Sequence, residues 1–536
     1  MRDRLSRALR WLERNVGTRR GALTLFALAL VAFALQSVAL SLYPGRDLST
    51  YLRYYVEIWK VGTVFPAAML QRTPLAPLAV GIPLDLWGGW LLEVCMGFLF
   101  AGSVVAWRTV ALTFGPRAAL LVSAAVLVYP GYGILFHGPS SDPIFAAGFA
   151  GWAVLVTRAA VRPTLGRFVA VGLGVAALAL IRPGNQVLLA FFLFPLFLRT
   201  SWRRRLAWAG AVLVAAAVPL AAWSGYNRVR YDDFTVARAG AFTFFRAFVT
   251  DRIVRPENGP ASRDLAAAVQ RELLPNEPYR SYGISLPEFF SSGSVRMEDD
   301  LLWLSDREWG WDSNYRKLRD ASWEAIRRHP GTYTRGVGRA VWQQLWWPLY
   351  HVPPGTPPPR AQSPGGSGQA TVVVAGRRLP RPTEGEPIPS SYQGFDVSTP
   401  NNRIHEVWTS PTEHHLVFDD PSAARSNRDL GREYNRLVGR FHTHDANAGL
   451  ARRLNQASRW YPRSALWLVV GLVAVLWRRP RRSAIALALA LSALAVIVFT
   501  ALGFYAVVEY AVPVAPAFVL LAAAGLLGLR EAGESP

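Results

Sequence analysis

The chain has 536 residues, of which 51% are hydrophobic and only 18% charged, against the ~25% charged residues of a typical soluble domain. Its net charge of +22 and its single cysteine exclude a disulfide-framed fold. Residues 225–459 hold 31 Lys or Arg and 26 Asp or Glu, leaving 27 basic and 10 acidic residues for the rest. The excess therefore sits between apolar runs, a pattern of membrane topology rather than of nucleic-acid binding.

A transmembrane helix needs ~20 mostly apolar residues, and Gly21 to Tyr43 forms an uncharged run of that length. It is too long, and too far from a small-residue cleavage pattern, to be a removable signal peptide. By the same criterion about ten spans are predicted. They lie near 21–43, 89–107, 117–136, 144–157, 168–181, 186–198, 207–223, 464–477, 484–502 and 515–529. The fold class expected is an all-α polytopic membrane protein. The basic tail 1–20 carries seven arginines, among them Arg14, Arg19 and Arg20. With that tail cytoplasmic, the loops that should share its face carry Arg108 and Arg117, then Arg158, Arg162 and Arg167, then Arg199 and Arg203 to Arg205, then Arg478, Arg479, Arg481 and Arg482, as the positive-inside tendency requires. The expected location is the cytoplasmic membrane of a bacterium, with the N-terminus inside and membrane lipids as partners.

On the outer face this topology leaves the first loop, 44–88, and a domain at 225–459 between the seventh and eighth spans. That domain is read as mainly helical. Ser262 is its first predicted N-cap, and Pro275 and Pro330 are helix stops. The Pro/Gly/Ser-rich stretch at about 352–392 is read as a flexible loop, to which "ATVVVAG" could add a short hairpin strand. Of the aromatic residues Trp342, Trp346, Trp347 and Tyr350, the spacing puts Trp342, Trp346 and Tyr350 on one face of a helix read as interfacial. The chain returns to the membrane with Trp460 and Tyr461 as aromatic anchors, and 460–536 holds the last helices.

The chemistry of the first loop rests on Asp47. It emerges about one turn beyond the hydrocarbon edge, with Arg46, Arg53, Lys60 and Arg72 on the same loop. A carboxylate among cations beside a bilayer suits transfer from a lipid-linked phosphate, with a base for an acceptor hydroxyl and cations for the leaving group. The plainer alternative is that Arg46 and Asp47 are an interfacial anchor and a helix cap. Asp142 with Pro143 opens the fourth span, where an Asp-Pro pair is also a good helix start. Arg182 closes the fifth span on the outer face, against the charge bias. Lys60 is one of two lysines beside 56 arginines, and its compact ammonium suits a phosphate.

In this order the stretches "GRDLSTYL", "QRTPLAPL", "SSDP" and "LIRPGN" resemble motifs of the C-type (GT-C) membrane glycosyltransferase superfamily, within its protein O-mannosyltransferase and lipid A aminoarabinose transferase-like group. The resemblance covers roughly 20–225 and the last two spans. It implies a polyprenyl-phosphate-linked sugar donor and an inverting attack by an acceptor hydroxyl of a polysaccharide, lipid or protein. It further implies Asp47 as general base, Arg72, Arg182, Lys60 and Arg46 as phosphate partners, and Asp142 as a supporting acid. The sequence departs from the pattern at "EYAVPVAPAF", where Glu509 stands in place of a basic residue, and at Leu48, where a second acid is common.

No cofactor is required by this reading, although a divalent metal ion beside Asp47 and Asp142 would fit it. His405, His414, His415, His442 and His444 form a second, weaker metal candidate, because their spacing matches no closed tetrahedral pattern. Two non-enzymatic alternatives stand beside the transferase. A transporter should place charges or broken helices at mid-membrane and show a repeated half. A non-catalytic envelope-assembly or binding protein would leave Asp47 and Arg182 without a shared site.

Overall fold

A computed structural model describes residues 11–238, 240–346, 371–374, 377–380, 394–399, 402–410, 413–480 and 482–528. Among the described residues six helices are long and apolar enough to cross a membrane: Arg19–Ala39, Gly89–Phe114, Ser141–Val161, Trp202–Tyr231, Ser483–Gly503 and Glu509–Leu527. Five shorter apolar helices, Leu75–Trp87, Pro116–Leu127, Leu165–Ile181, Pro183–Phe197 and Ser464–Arg478, accompany them. All ten expected runs fall on these helices, with two departures. The run near 117–136 stops being one helix at Leu127 and restarts at Pro130, because a proline ring disfavours helical backbone in the residue before it. The run near 186–198 is a 3₁₀ helix, Pro183–Phe197. Leu75–Trp87, assigned above to an outer loop, is itself a thirteen-residue apolar helix.

The helices share a core in which Phe100, Trp107, Phe149, Trp152 and Phe168 are fully or almost fully buried. A second core, around Phe244, Phe248, Phe289, Leu301 and Leu318, belongs to the helical unit that follows Trp202–Tyr231. In that unit Ser262 does not act as an N-cap. Helix Pro260–Ala268 is preceded by Gly259, and Glu324 from a neighbouring helix accepts the amides of Ala261 and Ser262 at 2.9 and 2.8 Å.

The hairpin strand anticipated at "ATVVVAG" is present as Thr371–Val374, paired antiparallel with Arg377–Pro380. The expected mainly helical domain also holds a sheet that the sequence reading did not place: Gly394–Thr399, Asn402–Ser410 and Glu413–Phe418 form a three-stranded antiparallel meander. The rest of the 352–392 stretch, together with Trp347, Tyr350 and Arg481, lies outside the described residues. Trp342 and Trp346 stack at 5.1 Å on the exposed side of helix Pro330–Trp346.

Two buried arginines tie the helical unit to the membrane-length helices. Arg246 donates to the carbonyls of Ala501 and Phe504 at 2.8 and 2.7 Å and pairs with Asp251. Arg238 makes a two-pronged contact with Asp306, both bonds at 2.8 Å, while its own amide donates to the Leu70 carbonyl at 2.7 Å. Arg246 thus fixes the unit against the end of helix Ser483–Gly503, and Arg238 fixes it against the segment that carries Arg72.

Candidate functional site

The chain leaves helix Arg19–Ala39 in extended form and is pinned by the Tyr43 amide donating to the His137 carbonyl at 3.0 Å. Gly45 then passes so close to Gly138 and Pro139 that a Cβ would meet their carbonyl oxygens at 2.4 and 2.6 Å. Only glycine permits that approach, which brings the Asp47 and Asp142 segments together.

Asp47 adopts φ 58, in the left-handed region, immediately before helix Leu48–Val56. It occupies the cap position, yet its side chain makes no capping bond; its carboxylate instead accepts from Arg72 at 3.1 Å. Tyr51, on the same helix, donates to the Ser141 hydroxyl at 2.9 Å, and Asp142 pairs with Arg182 at 2.9 Å with both side chains largely buried. Arg182 caps helix Leu165–Ile181, and its guanidinium carbon lies 4.0 Å from the Tyr510 ring centre. Arg46 approaches the same ring at 5.2 Å and bonds the Tyr505 hydroxyl at 3.1 Å.

These groups line one cavity of about 560 Å³, large enough for a monosaccharide with part of a carrier. One end holds Arg46, Arg72 and Arg182 with Asp47 and Asp142. Helix Val295–Trp309 adds Glu298 and Asp299 to the lining. Burial pushes Glu298 up to about 8, helped by Asp299. Asp299 beside it is exposed. An apolar side comes from Phe242, Phe245, Phe499 and Phe504.

Of the residues singled out in the sequence, Asp47, Asp142, Arg46, Arg72 and Arg182 meet here, and Lys60 does not. Its ammonium is 2.6 Å from Asp85 and 3.8 Å from Glu433, in a network with Arg436 that joins the first loop to helix Pro421–Gly439. Glu57, fully buried on the first loop, accepts from the Val64 and Phe65 amides at 2.8 and 3.0 Å and shapes the turn that precedes Arg72.

Among the described residues the histidines form no cluster. His444 lies 2.6 Å from the Ser37 carbonyl, His442 is 3.7 Å from Asp445 and His415 is exposed, while the side chains of His405 and His414 lie outside the described residues. Among the described residues no three His, Cys, Asp or Glu side chains are arranged to hold a metal ion. Sequence reasoning missed Tyr510, Tyr51, Glu298 and Asp299. Tyr510 sat beside the departure at Glu509. The acidic pair looks in sequence like the solvated first turn of a helix.

A scan against protein-family models finds no match, and a search of curated proteins finds none either. Among solved structures the chain is similar to ArnT from Cupriavidus metallidurans bound to undecaprenyl phosphate, at 16% identity over 61% of this chain and 65% of that one, with a TM-score of 0.32. It is also similar to the apo state of the same protein, at 13% identity over 95% of this chain and 77% of that one, again with a TM-score of 0.32. The chain thus spans less than two thirds of the lipid-bound structure. Superpositions this loose fix neither fold nor activity.

Proposed function

We propose that this protein is an integral membrane glycosyltransferase that moves a sugar from a polyprenyl-phosphate donor to an acceptor hydroxyl, with Asp47 as general base. One observation carries the reading. Asp47, Arg72, Asp142 and Arg182, far apart in sequence, line a single cavity at the ends of membrane-length helices. The distribution of arginines among the loops supports placing that cavity on the extracytoplasmic face.

In the proposed reaction Asp47 takes the proton of the acceptor hydroxyl as its oxygen attacks the anomeric carbon. The bond from that carbon to the phosphate oxygen breaks on the opposite side, and polyprenyl phosphate leaves with the electron pair. The leaving group is already an acid anion, so a general acid is unnecessary, and Arg182, Arg46 and Arg72 stabilise the growing charge. Arg72 also holds the Asp47 carboxylate in place before substrate arrives. Each aspartate has a guanidinium partner, so a divalent ion at this point would have to displace Arg72 or Arg182. Lys60 takes no part in this scheme. Clustering of charge at helix ends, rather than at mid-span, favours a transferase over a transporter.

The test uses protein reconstituted in vesicles with a panel of radiolabelled polyprenyl-phosphate sugars, following release of polyprenyl phosphate and label on the acceptor. Asp47→Asn and Asp47→Ala should each lower transfer by at least about 10³-fold while inserting normally, a loss on the scale of removing a catalytic base. Near-wild-type transfer by both would sink the mechanism.

A further inference from the structure

A second cavity, of about 360 Å³, lies at the other ends of the helices that frame the first. Helix Ser141–Val161 carries Asp142 in its first turn and Arg158 in its last, and helix Leu165–Ile181 runs back from Arg167 to Arg182. With a rise of ~1.5 Å per residue, about 22–24 Å separates the two cavities.

Arg158, Arg162 and Arg167 line this second cavity, and no carboxylate does. Arg167 is folded across the 162–164 turn by donating to the carbonyls of Arg162 and Arg158. Among the described residues Arg158 and Arg162 have no side-chain hydrogen bond or ion pair. Nearby Glu13 is already engaged by Arg117 at 2.9 Å. The Thr109 and Thr157 hydroxyls donate to backbone carbonyls four residues back, both at 2.8 Å, which leaves the guanidiniums and the Thr113 hydroxyl to hold an anion here. Val110, Val154 and Val161 supply an apolar wall. From the same turn an exposed apolar stripe, Leu165, Val169 and Leu173, runs up the helix that carries Arg167.

We propose that this cavity seats the phosphodiester headgroup of an anionic phospholipid, with an acyl chain lying along the Leu165, Val169 and Leu173 stripe. A soluble phosphate would satisfy the arginines but leave the valine wall and the stripe uncovered, whereas a phospholipid covers both. The site is independent of the transfer chemistry proposed for the first cavity.

Native mass spectrometry of the full chain in mild detergent tests it, with dioleoyl phosphatidylglycerol, dioleoyl phosphatidylcholine and inorganic phosphate as probes. Wild-type protein should retain one phosphatidylglycerol in preference to phosphatidylcholine. Arg158→Gln with Arg162→Gln should weaken that binding by roughly 25-fold, at roughly fivefold per arginine. Arg203→Gln with Arg204→Gln, in the first turn of helix Trp202–Tyr231, should leave it unchanged. Equal loss in both double variants, or no loss in the first, overturns the site. Inorganic phosphate that protects wild type but not the first variant, without phosphatidylglycerol preference, overturns the lipid assignment. Should the double variant fail to fold, Arg162→Gln alone, at an exposed side chain, reads the same outcome.

Discussion

Asp47 combines two demands that no other residue type meets equally well. Its backbone is left-handed at φ 58, a conformation that costs most residues with a Cβ about 1 kcal/mol but that Asp and Asn tolerate best. Its carboxylate faces Arg72 instead of the helix it precedes. Three substitutions therefore separate backbone from chemistry. Asp47→Asn should melt within about 1 °C of wild type, Asp47→Ala should lose about 1 kcal/mol, and Asp47→Gly should be at least as stable as Ala, while all three are inactive. Thermal scans in detergent check the order, and an Ala variant as stable as Asn would show that the backbone carries no strain. Glu298 makes a pH-dependent contribution of opposite chemistry. Its folded pKa lies at about 8, above its ordinary 4.5, so its contribution to stability is fully present below pH 4.5 and is lost as pH rises through 8. Glu298→Gln should thus melt like wild type at pH 5 and at least about 2 °C higher at pH 9. A melting difference that does not change with pH would place the Glu298 carboxyl in contact with water.

At the scale of elements, the fifteen-residue 3₁₀ helix Pro183–Phe197 is much longer than the three or four residues usual for that form. Its rise of ~2.0 Å per residue stretches it to about 30 Å, the thickness of the hydrocarbon core, which an α-helix of the same residue count would miss by about 8 Å. A sequence window sees only a short apolar run, since apolar content is legible and rise per residue is not. The three-stranded meander was legible in principle: "GFDVST" and "NRIHEVWTS" partly alternate polar and apolar residues, a period-2 signal too short to stand out beside the Pro/Gly/Ser-rich stretch before it. The tie made by Arg246 could not be read at all, because its partners are backbone carbonyls 255 and 258 positions away. Arg246→Met should cost about 3–5 kcal/mol, since it leaves Asp251 and two carbonyls without their cation. It should also speed proteolysis near Phe504. Unchanged melting and cleavage would mean that the helical unit is held by its apolar contacts alone.

For the whole molecule, the candidate site divides by how locally its parts are encoded. Asp47, Asp142, Arg72 and Arg182 announce themselves because each stands at the end of an apolar run, where a charge is conspicuous. Tyr510, Glu298 and Asp299 do not, because what matters about them is which wall they reach, and that depends on the packing of segments up to several hundred residues apart. The Asp142–Arg182 pair has a mechanical meaning beyond its place in the cavity. Helices Ser141–Val161 and Leu165–Ile181 are the two arms of a hairpin, closed at one end by the 162–164 turn and at the other by this ion pair. The pair is a clasp, and opening it frees the arms to splay. Asp142→Ala, which leaves Arg182 buried without its counter-charge, should cost about 3–5 kcal/mol. The exchanged pair Asp142→Arg with Arg182→Asp should refasten the clasp and recover most of the melting temperature, yet recover none of the transfer, because the cation would then stand on the wrong arm.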